Sequence, residues 1–356
     1  MGTVIIIVYF KKKEQNNLIK IGLIGCGNIC NIAHIPAYKK ISESRGLKII
    51  GTCDIIKEKA KNTARITKAK NIFTNYHELL KLDLDLVDIC TPTYTHSEIA
   101  TAAAKAGKDV ICEKPIALTL EDAQKMIDAS IQYKTRLFIA HVRRFDPRFQ
   151  HIRNDIIQEK IGKPVYIRIT ERQWLPFSEG SWFWKTNLSG GVIVDIGVHI
   201  ADMFRWFFNT EPVEVFATGR MVRKEARKND TFDHVAVMYK FAQRETAFME
   251  ISWIFPSEGS TLYHCLDIVG NKGKIEYSNR DSNPTIMVTN RISLPRYSLL
   301  MSTFPEAFEK ELNHFLNCIE YNIPSLVTAQ DAKKALEMCL AVDQSVREKK
   351  SIKLSL

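Results

Sequence analysis

The sequence of 356 residues lacks several features that mark particular classes of protein. None of its eight cysteines forms a Cys-x-x-Cys pair, which argues against a zinc ribbon, a thioredoxin-type motif and a disulfide-dense secreted scaffold. No apolar run approaches the roughly 20 residues needed to span a bilayer, and no internal repeat or low-complexity tract appears. The hydrophobic content of 45% is ordinary for a globular protein, and the length indicates two domains.

The first 17 residues are predicted to be an extension outside the fold. Residues 3–10 are apolar, and Lys11, Lys12 and Lys13 follow them, which is the reverse of the order in a signal peptide. We therefore expect a cytoplasmic protein with no membrane partner, whose folded part begins near residue 18.

The net charge of +10 permits two interpretations. A solvated surface in a lysine-rich sequence accounts for it, and so does an anionic substrate such as a sugar phosphate or a nucleotide sugar. A nucleic-acid partner would need the positive charge on one face. The basic runs are short, as in residues 11–13 and 220–228, so we expect no nucleic-acid partner.

Strands and helices alternate in the first part of the chain. Short apolar runs predict buried strands over residues 19–24, 47–53, 86–90, 108–112 and 136–141. Helices are predicted over residues 97–106 and 120–133, and Gly107 is suited to end the first of these. The alternation is typical of a doubly wound parallel sheet with right-handed crossovers, here a Rossmann domain over residues 18–142.

After residue 147 the pattern changes to strands in series, predicted over residues 165–173, 213–221, 234–241, 246–254 and 263–269. Such a series implies a large, mostly antiparallel open sheet. Residues 305–322 and 329–348 are predicted to be amphipathic helices. We expect an α/β domain over residues 143–356 that binds substrate and, through its open sheet, forms a homodimer or homotetramer.

A glycine turn, Gly25-Cys26-Gly27-Asn28-Ile29, follows the first strand. Gly25 permits the tight turn, and Gly27 lets the backbone approach a pyrophosphate at the N-terminus of the next helix. Asp54 follows the second strand, where its carboxylate can accept hydrogen bonds from both ribose hydroxyls of a dinucleotide and would repel a 2′-phosphate. The same aspartate is also suited to cap a helix. We expect NAD to be preferred, with NADP possible.

Polar side chains collect where the predicted parallel strands end, which is where ligands bind in such sheets. Glu113-Lys114-Pro115 follows one buried strand and Thr91-Pro92-Thr93 follows another. The predicted cofactor-binding residues are Gly25, Gly27, Asn28, Ile29, Asp54, Thr91, Pro92, Thr93, His96, Glu113 and Lys114.

Cys53, Cys90 and Cys112 fall at the ends of predicted strands. We interpret them as small side chains in a crowded sheet edge, with a redox or metal role as the less favoured alternative. Cys26 and Cys30 would be open to oxidation if they proved exposed. No metal site is predicted.

Asp195-Ile196-Gly197-Val198-His199 places a carboxylate and an imidazole four residues apart. If Asp195 opens a helix, the two side chains share a face, and the helix N-terminus favours a neutral His199, as a general base requires. An isolated pair of this kind is more often structural, but the preceding motifs favour catalysis. Trp174 and Trp184 offer aromatic faces to a sugar or cyclitol ring, and burial in a domain-interface core is an equal alternative for them.

In this combination and order the motifs resemble those of the Gfo/Idh/MocA family, which is named after glucose–fructose oxidoreductase, inositol dehydrogenase and a rhizopine catabolism protein. The resemblance covers residues 18–356. Cys30, Thr93 and the extra N-terminal segment depart from the family pattern without removing a catalytic group. The residues that carry the resemblance are the glycine turn, Thr91-Pro92-Thr93 with His96, Glu113-Lys114-Pro115, Arg144-Phe145-Asp146-Pro147, Gly190-Gly191, and the Asp195–His199 segment with Asp202.

The resemblance implies a Rossmann domain joined to a mostly antiparallel α/β domain, with the active site between them. It implies that Lys114 contacts the substrate hydroxyl and the nicotinamide ribose, and that the Lys114–Pro115 bond is cis. It implies that His199 takes the hydroxyl proton and that Asp195 orients the substrate or the catalytic groups. Arg144 falls where the family often places a residue near the nicotinamide or the substrate, so it joins the predicted cofactor and substrate contacts.

The leading hypothesis is an NAD(P)-dependent dehydrogenase that moves a hydride between nicotinamide and a secondary alcohol of a sugar or cyclitol, with Lys114, Asp195 and His199 as catalytic residues. A nucleotide-sugar 3-dehydrogenase is an alternative suggested by the basic charge. A non-catalytic sensor of NAD or of a ligand on the same fold is another. The sensor is disfavoured because it needs no base beside the nicotinamide.

Overall fold

The computed structural model of the protein describes residues 18–173, 178–254, 263–279, 287–289, 292–293 and 304–354. The strands in these ranges are β1 (Ile19–Ile24), β2 (Leu47–Cys53), β3 (Asn71–Phe73), β4 (Leu86–Ile89), β5 (Asp109–Glu113), β6 (Leu137–Ala140), β7 (Pro164–Arg172), β8 (Pro212–Arg220), β9 (His234–Phe241), β10 (Thr246–Ser252), β11 (Tyr263–Gly270), β12 (Lys274–Ser278), β13 (Met287–Thr289), β14 (Ile292–Ser293) and β15 (Ile352–Lys353).

The α-helices in the same ranges are α1 (Ile35–Ile41), α2 (Lys57–Thr67), α3 (Tyr76–Leu80), α4 (His96–Lys105), α5 (Leu120–Gln132), α6 (Pro147–Ile157), α7 (Thr186–Ser189), α8 (Gly191–Asp195), α9 (Gly197–Phe208), α10 (Lys224–Lys228), α11 (Phe304–Tyr321) and α12 (Ala329–Glu348). A π-helical segment, Cys30–His34, precedes α1. None of the helices in the described ranges combines the length and the hydrophobicity needed to cross a membrane.

The first sheet has six strands in the order β3-β2-β1-β4-β5-β6, and every neighbouring pair is parallel. Five of the six residues of β1 are buried, as expected for a central strand that helices cover on both faces. The strand order reverses between β1 and β4, and ligands bind beyond the carboxyl ends of strands at such a point. The predicted Rossmann architecture is confirmed.

Local signals in the sequence set the helix boundaries of this part of the chain. The Thr119 hydroxyl accepts a hydrogen bond from the N–H of Asp122 at the start of α5, at 3.0 Å, which satisfies one of the unpaired donors of the first turn. Gly107 follows α4 with φ +72°, a left-handed conformation that ends a helix and that glycine adopts without strain.

The second sheet has nine strands in the order β14-β13-β12-β11-β7-β10-β9-β8-β15. Only β7 and β10 run parallel to each other among these described strands, so the predicted mostly antiparallel sheet is confirmed. Buried and partly exposed residues alternate along β9. Its buried face includes Val235, Val237 and Tyr239, and the Tyr239 hydroxyl donates to the carbonyl of Met338 on α12 at 3.2 Å.

The chain divides into two compact units that do not follow its linear order. The first contains the described residues up to Phe145 together with Phe304–Lys333, and the second contains those from Asp146 to Thr303 together with Lys334–Leu356. Helix α11 therefore belongs to the first unit, where Phe315 stacks on Phe138 with ring centroids 4.9 Å apart. The predicted boundary near residue 142 stays a prediction.

Candidate active site

The glycine turn after β1 has the form that a dinucleotide loop requires. Gly25 adopts φ +89°, and a Cβ there would lie 2.6 Å from the carbonyl carbon of Cys90, so any other residue is strained. A Cβ at Gly27 would meet no atom within 4 Å. The space beside Gly27 admits a pyrophosphate close to the backbone, and the helical stretch that begins at residue 28 favours its negative charge.

Asp54 follows β2 directly and is bonded to the glycine turn. Its Oδ2 accepts the N–H of Cys26 and its Oδ1 accepts the N–H of Ile56, each at 2.8 Å. A carboxylate has about four acceptor positions, so both oxygens retain capacity for ribose hydroxyls. Helix α2 begins after Ile56 without a side-chain cap, so the expectation that Asp54 also caps this helix is wrong.

His96 joins the two loops that follow β4 and β5. The ring is buried, with Nδ1 2.8 Å from the carbonyl oxygen of Pro115 and Nε2 2.9 Å from that of Thr91. Burial lowers the pKa of His96, although the two carbonyl contacts act in the opposite direction. His96 therefore holds the Thr91-Pro92-Thr93 turn against the Lys114–Pro115 segment. Direct contact of His96 and of these turn residues with a cofactor stays a prediction.

Glu113 ends β5, and Lys114 follows at the carboxyl edge of the sheet. The Lys114–Pro115 peptide bond is cis. The N–H of Lys114 donates to Oε2 of Glu113 at 3.1 Å. Glu113 is buried whereas Lys114 is partly exposed, so the lysine side chain lies where a ligand of this sheet would bind.

Arg144 occupies a short 3₁₀ turn, Val142–Phe145, and is almost fully buried. Its Nη1 donates to the carbonyl of Leu326 at 3.0 Å and lies 3.7 Å from Oδ2 of Asp331. These contacts tie the turn to the start of α12 within the first unit. They give Arg144 a structural role, and its contact with nicotinamide or substrate stays a prediction.

Asp195 does not open a helix, which was the condition given above for its sharing a helix face with His199. Gly190 and Gly191 adopt left-handed backbone conformations, with φ +77° and +63°, and a short helix starts there, so Asp195 comes at the end of α8 instead. His199 lies in the first turn of α9. Among residues 191–200, Asp195 and His199 are partly exposed and the other eight are buried. Both residues are therefore partly accessible in this segment of the second unit, although Nδ1 of His199 is buried.

The tryptophans differ in their surroundings. Trp184 is fully buried, with its ring edge-on to Trp253 at 5.6 Å and the Arg223 guanidinium 4.9 Å from its centroid. This placement favours the core interpretation of Trp184 over stacking on a substrate ring. Trp182 is partly exposed, and Trp174 lies outside the described residues.

All eight cysteines lie in described ranges, and all are free and buried. Burial raises the pKa of Cys26 to about 12 and that of Cys53 to about 12, so these thiols are poor nucleophiles at neutral pH. Cys30 is fully buried as well. The oxidation that exposure of Cys26 and Cys30 would have permitted is therefore disfavoured.

A buried polar group behind Glu113 was not predicted from the sequence. It comprises His34, Asp88 and Glu311, all fully buried in the first unit. Glu311 could have been recognised from the sequence, because it is an acidic residue on the apolar face of α11. His34 and Asp88 could not, since an imidazole and a carboxylate 54 residues apart are recognisable as partners only after the sheet has formed.

Two models of one family match most of the chain. The model described as the NAD-binding Rossmann fold of the oxidoreductase family matches residues 19–141, and the model described as its C-terminal alpha/beta domain matches residues 153–354. The chain belongs to the Gfo/Idh/MocA oxidoreductase family. The predicted enzyme class, an oxidoreductase that uses a nicotinamide dinucleotide, is confirmed.

Individual relatives are similar over nearly the full length. The myo-inositol 2-dehydrogenase of Thermotoga maritima is 29% identical over 94% of this chain and 98% of its own. The inositol 2-dehydrogenase of Rhizobium meliloti is 28% identical over 95% and 99%. The crystal structure of a probable dehydrogenase from Thermotoga maritima superimposes with a TM-score of 0.81 at 28% identity, covering 94% of this chain and 98% of that one.

The residues of the first unit fit a nicotinamide dinucleotide. The open space at Gly27 accommodates the pyrophosphate, and the spare acceptor positions of Asp54 suit an adenosine ribose. Lys114, at the end of β5, lies on the same carboxyl edge of the sheet. When bound, the cofactor would supply the hydride chemistry that no side chain can perform.

Proposed function

We propose that this Gfo/Idh/MocA protein is an NAD-dependent dehydrogenase acting on a secondary alcohol of a cyclitol or sugar. The inositol 2-dehydrogenases named above support this substrate class. The observation that carries the proposal is the exposure pattern of residues 191–200, where Asp195 and His199 alone are partly exposed within an otherwise buried segment.

The proposed mechanism assigns one task to each of three side chains. The Lys114 ammonium donates to the substrate hydroxyl and stabilises the negative charge that develops on its oxygen. His199, as a neutral imidazole, accepts the hydroxyl proton, and a bound nicotinamide would accept the hydride from the carbon that bears this hydroxyl. Asp195 orients the substrate or the imidazole.

A preference for NAD over NADP is proposed from Asp54. Both of its oxygens already accept backbone N–H groups. These contacts fix the carboxylate at the place where the adenosine ribose would lie. A 2′-phosphate there would face a negative charge. No arginine follows Asp54 directly in the sequence, although a neighbouring arginine is what usually accommodates NADP.

A nucleotide-sugar 3-dehydrogenase is the second candidate, because the net charge of +10 suits an anionic substrate. Inhibition by free uridine diphosphate at low concentration would favour this candidate.

A sensor of NAD or ligand is a third candidate. The presence of Lys114, Asp195 and His199 together argues against it, because sensing does not require a proton acceptor.

The deciding experiment follows NADH formation against myo-inositol, scyllo-inositol, free sugars, sugar phosphates and uridine diphosphate sugars, with NAD and NADP in parallel. Turnover of a cyclitol or free sugar with NAD is expected. Turnover confined to nucleotide sugars would replace the proposal by the second candidate. No turnover, with NAD binding shown by a thermal shift, would favour a sensor or an enzyme that retains its cofactor. Mass spectrometry for bound NAD(H) separates those two.

A further inference from the structure

A buried cluster of charged groups lies behind the end of β5. The Nδ1 atom of His34 is 2.8 Å from Oδ2 of Asp88, and its Nε2 is 3.0 Å from Oε1 of Glu113. A carboxylate only accepts hydrogen bonds, and a neutral imidazole has a single N–H. With both carboxyl groups ionised, both ring nitrogens must donate, and His34 is then an imidazolium.

The immediate neighbours agree with a charged His34. Burial lowers the pKa of His34, but Asp88 and Glu113 raise it, and the result lies well above the ordinary value. The thiol of Cys90 is 3.6 Å from Nδ1, and the Tyr38 ring lies close by. Burial raises the pKa of Cys90 and of Tyr38 well above their usual ranges, so both are neutral.

Two further titratable groups complete the surroundings. Cys30 belongs to the same π-helical segment and contacts Cys90. Glu311 faces the cluster from α11, and burial, followed by the charge of Glu113, raises its pKa well above the ordinary value. Glu311 is therefore a neutral acid. The His34 ring thus lies between the carboxyl groups of Asp88 and Glu113, with Glu311 uncharged beside them.

The carboxylate that holds His34 also holds the backbone of Lys114. Glu113 uses Oε1 for His34 and Oε2 for the N–H of Lys114. Glu113 is 6% exposed, and a buried charge that loses its partner is strongly destabilised. The orientation of the Glu113 carboxylate, and with it the Lys114 peptide, is thus fixed by the charge on His34.

The local backbone around His34 is unusual. His34 ends a π-helical segment, and π-helical turns are rare and frequently occur at functional sites. The departure from α-helical geometry supports a specific role for this imidazole beyond filling the core.

A metal ion suits these groups less well. His34, Asp88 and Cys90 place ligand atoms within 4.8 Å of one another. A metal needs an unprotonated ring nitrogen, and both nitrogens of His34 face carboxylates. Burial also opposes the thiolate form of Cys90 that a metal would bind.

The geometry points to His34 as a positioning residue for Lys114, acting through Glu113. The imidazolium fixes the carboxylate, and the carboxylate fixes the peptide from which the ammonium reaches the substrate hydroxyl. This inference rests on the proposed function of Lys114. It gives a role in catalysis to a side chain that touches neither substrate nor cofactor.

The charge on His34 is measured by ¹⁵N NMR of histidine-labelled protein without ligand. Both ring nitrogens of His34 should stay protonated at pH ~8, above the ordinary histidine pKa of about 6.5. An unprotonated ring nitrogen of His34 at neutral pH overturns the proposal. This measurement requires no variant to fold.

The positioning itself is measured by amide hydrogen exchange. In His34→Gln the Lys114 amide should exchange about tenfold faster or more, while the amide of Cys112 in the same strand is unchanged. Glu311→Gln is the matched control, because it alters the same buried cluster and keeps the His34–Glu113–Lys114 contacts. An unchanged rate at Lys114, or equal acceleration at Cys112, overturns the proposal.

If His34→Gln does not fold, Glu113→Gln replaces it, because it keeps an acceptor for Lys114 and removes the charge that holds His34.

Kinetics separate this inference from the proposed function on which it rests. With myo-inositol or another active member of the substrate panel, His34→Gln should lower kcat by about 10- to 100-fold and leave the KM for NAD unchanged. In a Lys114→Ala background the same change should have no further effect. An equal effect in both backgrounds overturns the positioning role and leaves the proposed function intact. Full turnover by Lys114→Ala alone would overturn the proposed function and the positioning role together.

Discussion

The backbone of Lys114 is held by a buried carboxylate, while its side chain remains accessible. The contact with Glu113 holds the peptide from which the Lys114 side chain extends. Stabilisation of a developing alkoxide depends on a donor that is already in place before the charge appears. A lysine on the exposed surface would have to give up rotamer freedom and water contacts at the moment of reaction.

We expect Lys114→Ala and His199→Ala each to lower kcat by about 10²- to 10⁴-fold while NAD binding stays within a few-fold. In the proposed mechanism both groups act on the reacting oxygen, whereas the glycine turn and Asp54 would hold the dinucleotide. Steady-state kinetics measure the first effect, and quenching of tryptophan fluorescence by NAD measures the second. Lys105→Ala, at the exposed end of α4, is the control. Wild-type turnover in both variants would contradict the mechanism.

Asp54→Ala is expected to weaken NAD binding by about 10- to 100-fold, since a hydrogen bond to a charged group contributes about 1.5–3 kcal/mol. NADP binding should change less, because the substitution also removes the repulsion of the 2′-phosphate. Calorimetric titration with both dinucleotides tests this. Asp128→Ala, on the exposed side of α5, should alter neither affinity. An unchanged ratio of the two affinities would show that Asp54 does not select the cofactor.

At the scale of elements, sequence patterns located some segments to the residue and misplaced others. The bounds of β1, β2, β9 and α12 match their predicted ranges, because each has a clear periodicity or a marked end. β5 lies one residue later than predicted, since Glu113 pairs with Ala140 of β6. Helix α8 starts at Gly191, four residues before Asp195, which the sequence analysis had considered as a helix start, because the left-handed conformation of Gly190 places the helix start directly after it.

The glycine turn gives a paired prediction for one element. Gly25→Ala combines a left-handed φ with a clash against backbone, and should destabilise the fold by about 2 kcal/mol or more and weaken NAD binding. Gly27→Ala meets no atom of the protein, so it should leave the unfolding temperature unchanged and still weaken NAD binding. Differential scanning fluorimetry with and without NAD measures both effects. NAD affinity that survives in Gly27→Ala would place the pyrophosphate elsewhere.

At the scale of the whole molecule, the first unit is completed by a helix from far along the chain. The ring of Phe308 on α11 lies 5.6 Å from that of His34, and Arg45 donates to Asn313 and Asn317. Without α11, one face of the six-stranded sheet and the cluster around His34 would lose their cover. Folding of the dinucleotide-binding unit is therefore tied to chain that follows strands β7 to β14 of the second sheet in sequence.

Glu311 on this helix gives a prediction for global stability. Its carboxyl oxygens have no hydrogen-bond partner among the described residues, and burial, then Glu113, raises its pKa well above the unfolded value. The folded state then binds one more proton than the unfolded state above pH ~4.3, so stability falls by about 1.4 kcal/mol per pH unit until the folded pKa is reached.

Glu311→Gln removes this loss. The variant should match the wild type near pH ~4 and be more stable near pH ~8, as measured by urea unfolding. Glu306→Gln, on the exposed side of α11, is the control and should show no such trend. A stability difference between Glu311→Gln and wild type that is independent of pH would mean that Glu311 does not titrate as stated.

The sequence by itself determined the two architectures, the dinucleotide turn with Asp54, and the residues Lys114, Asp195 and His199 as candidates. These are properties of short segments, because periodicity, glycine spacing and residue type are local. The tertiary structure decided which side chains were buried and paired. It placed Trp184 in the core, gave Arg144 a structural partner in Asp331, and joined His34 to Asp88 and Glu113. Such contacts link residues distant in sequence, and only the assembled sheet and its covering helices bring them within hydrogen-bond range.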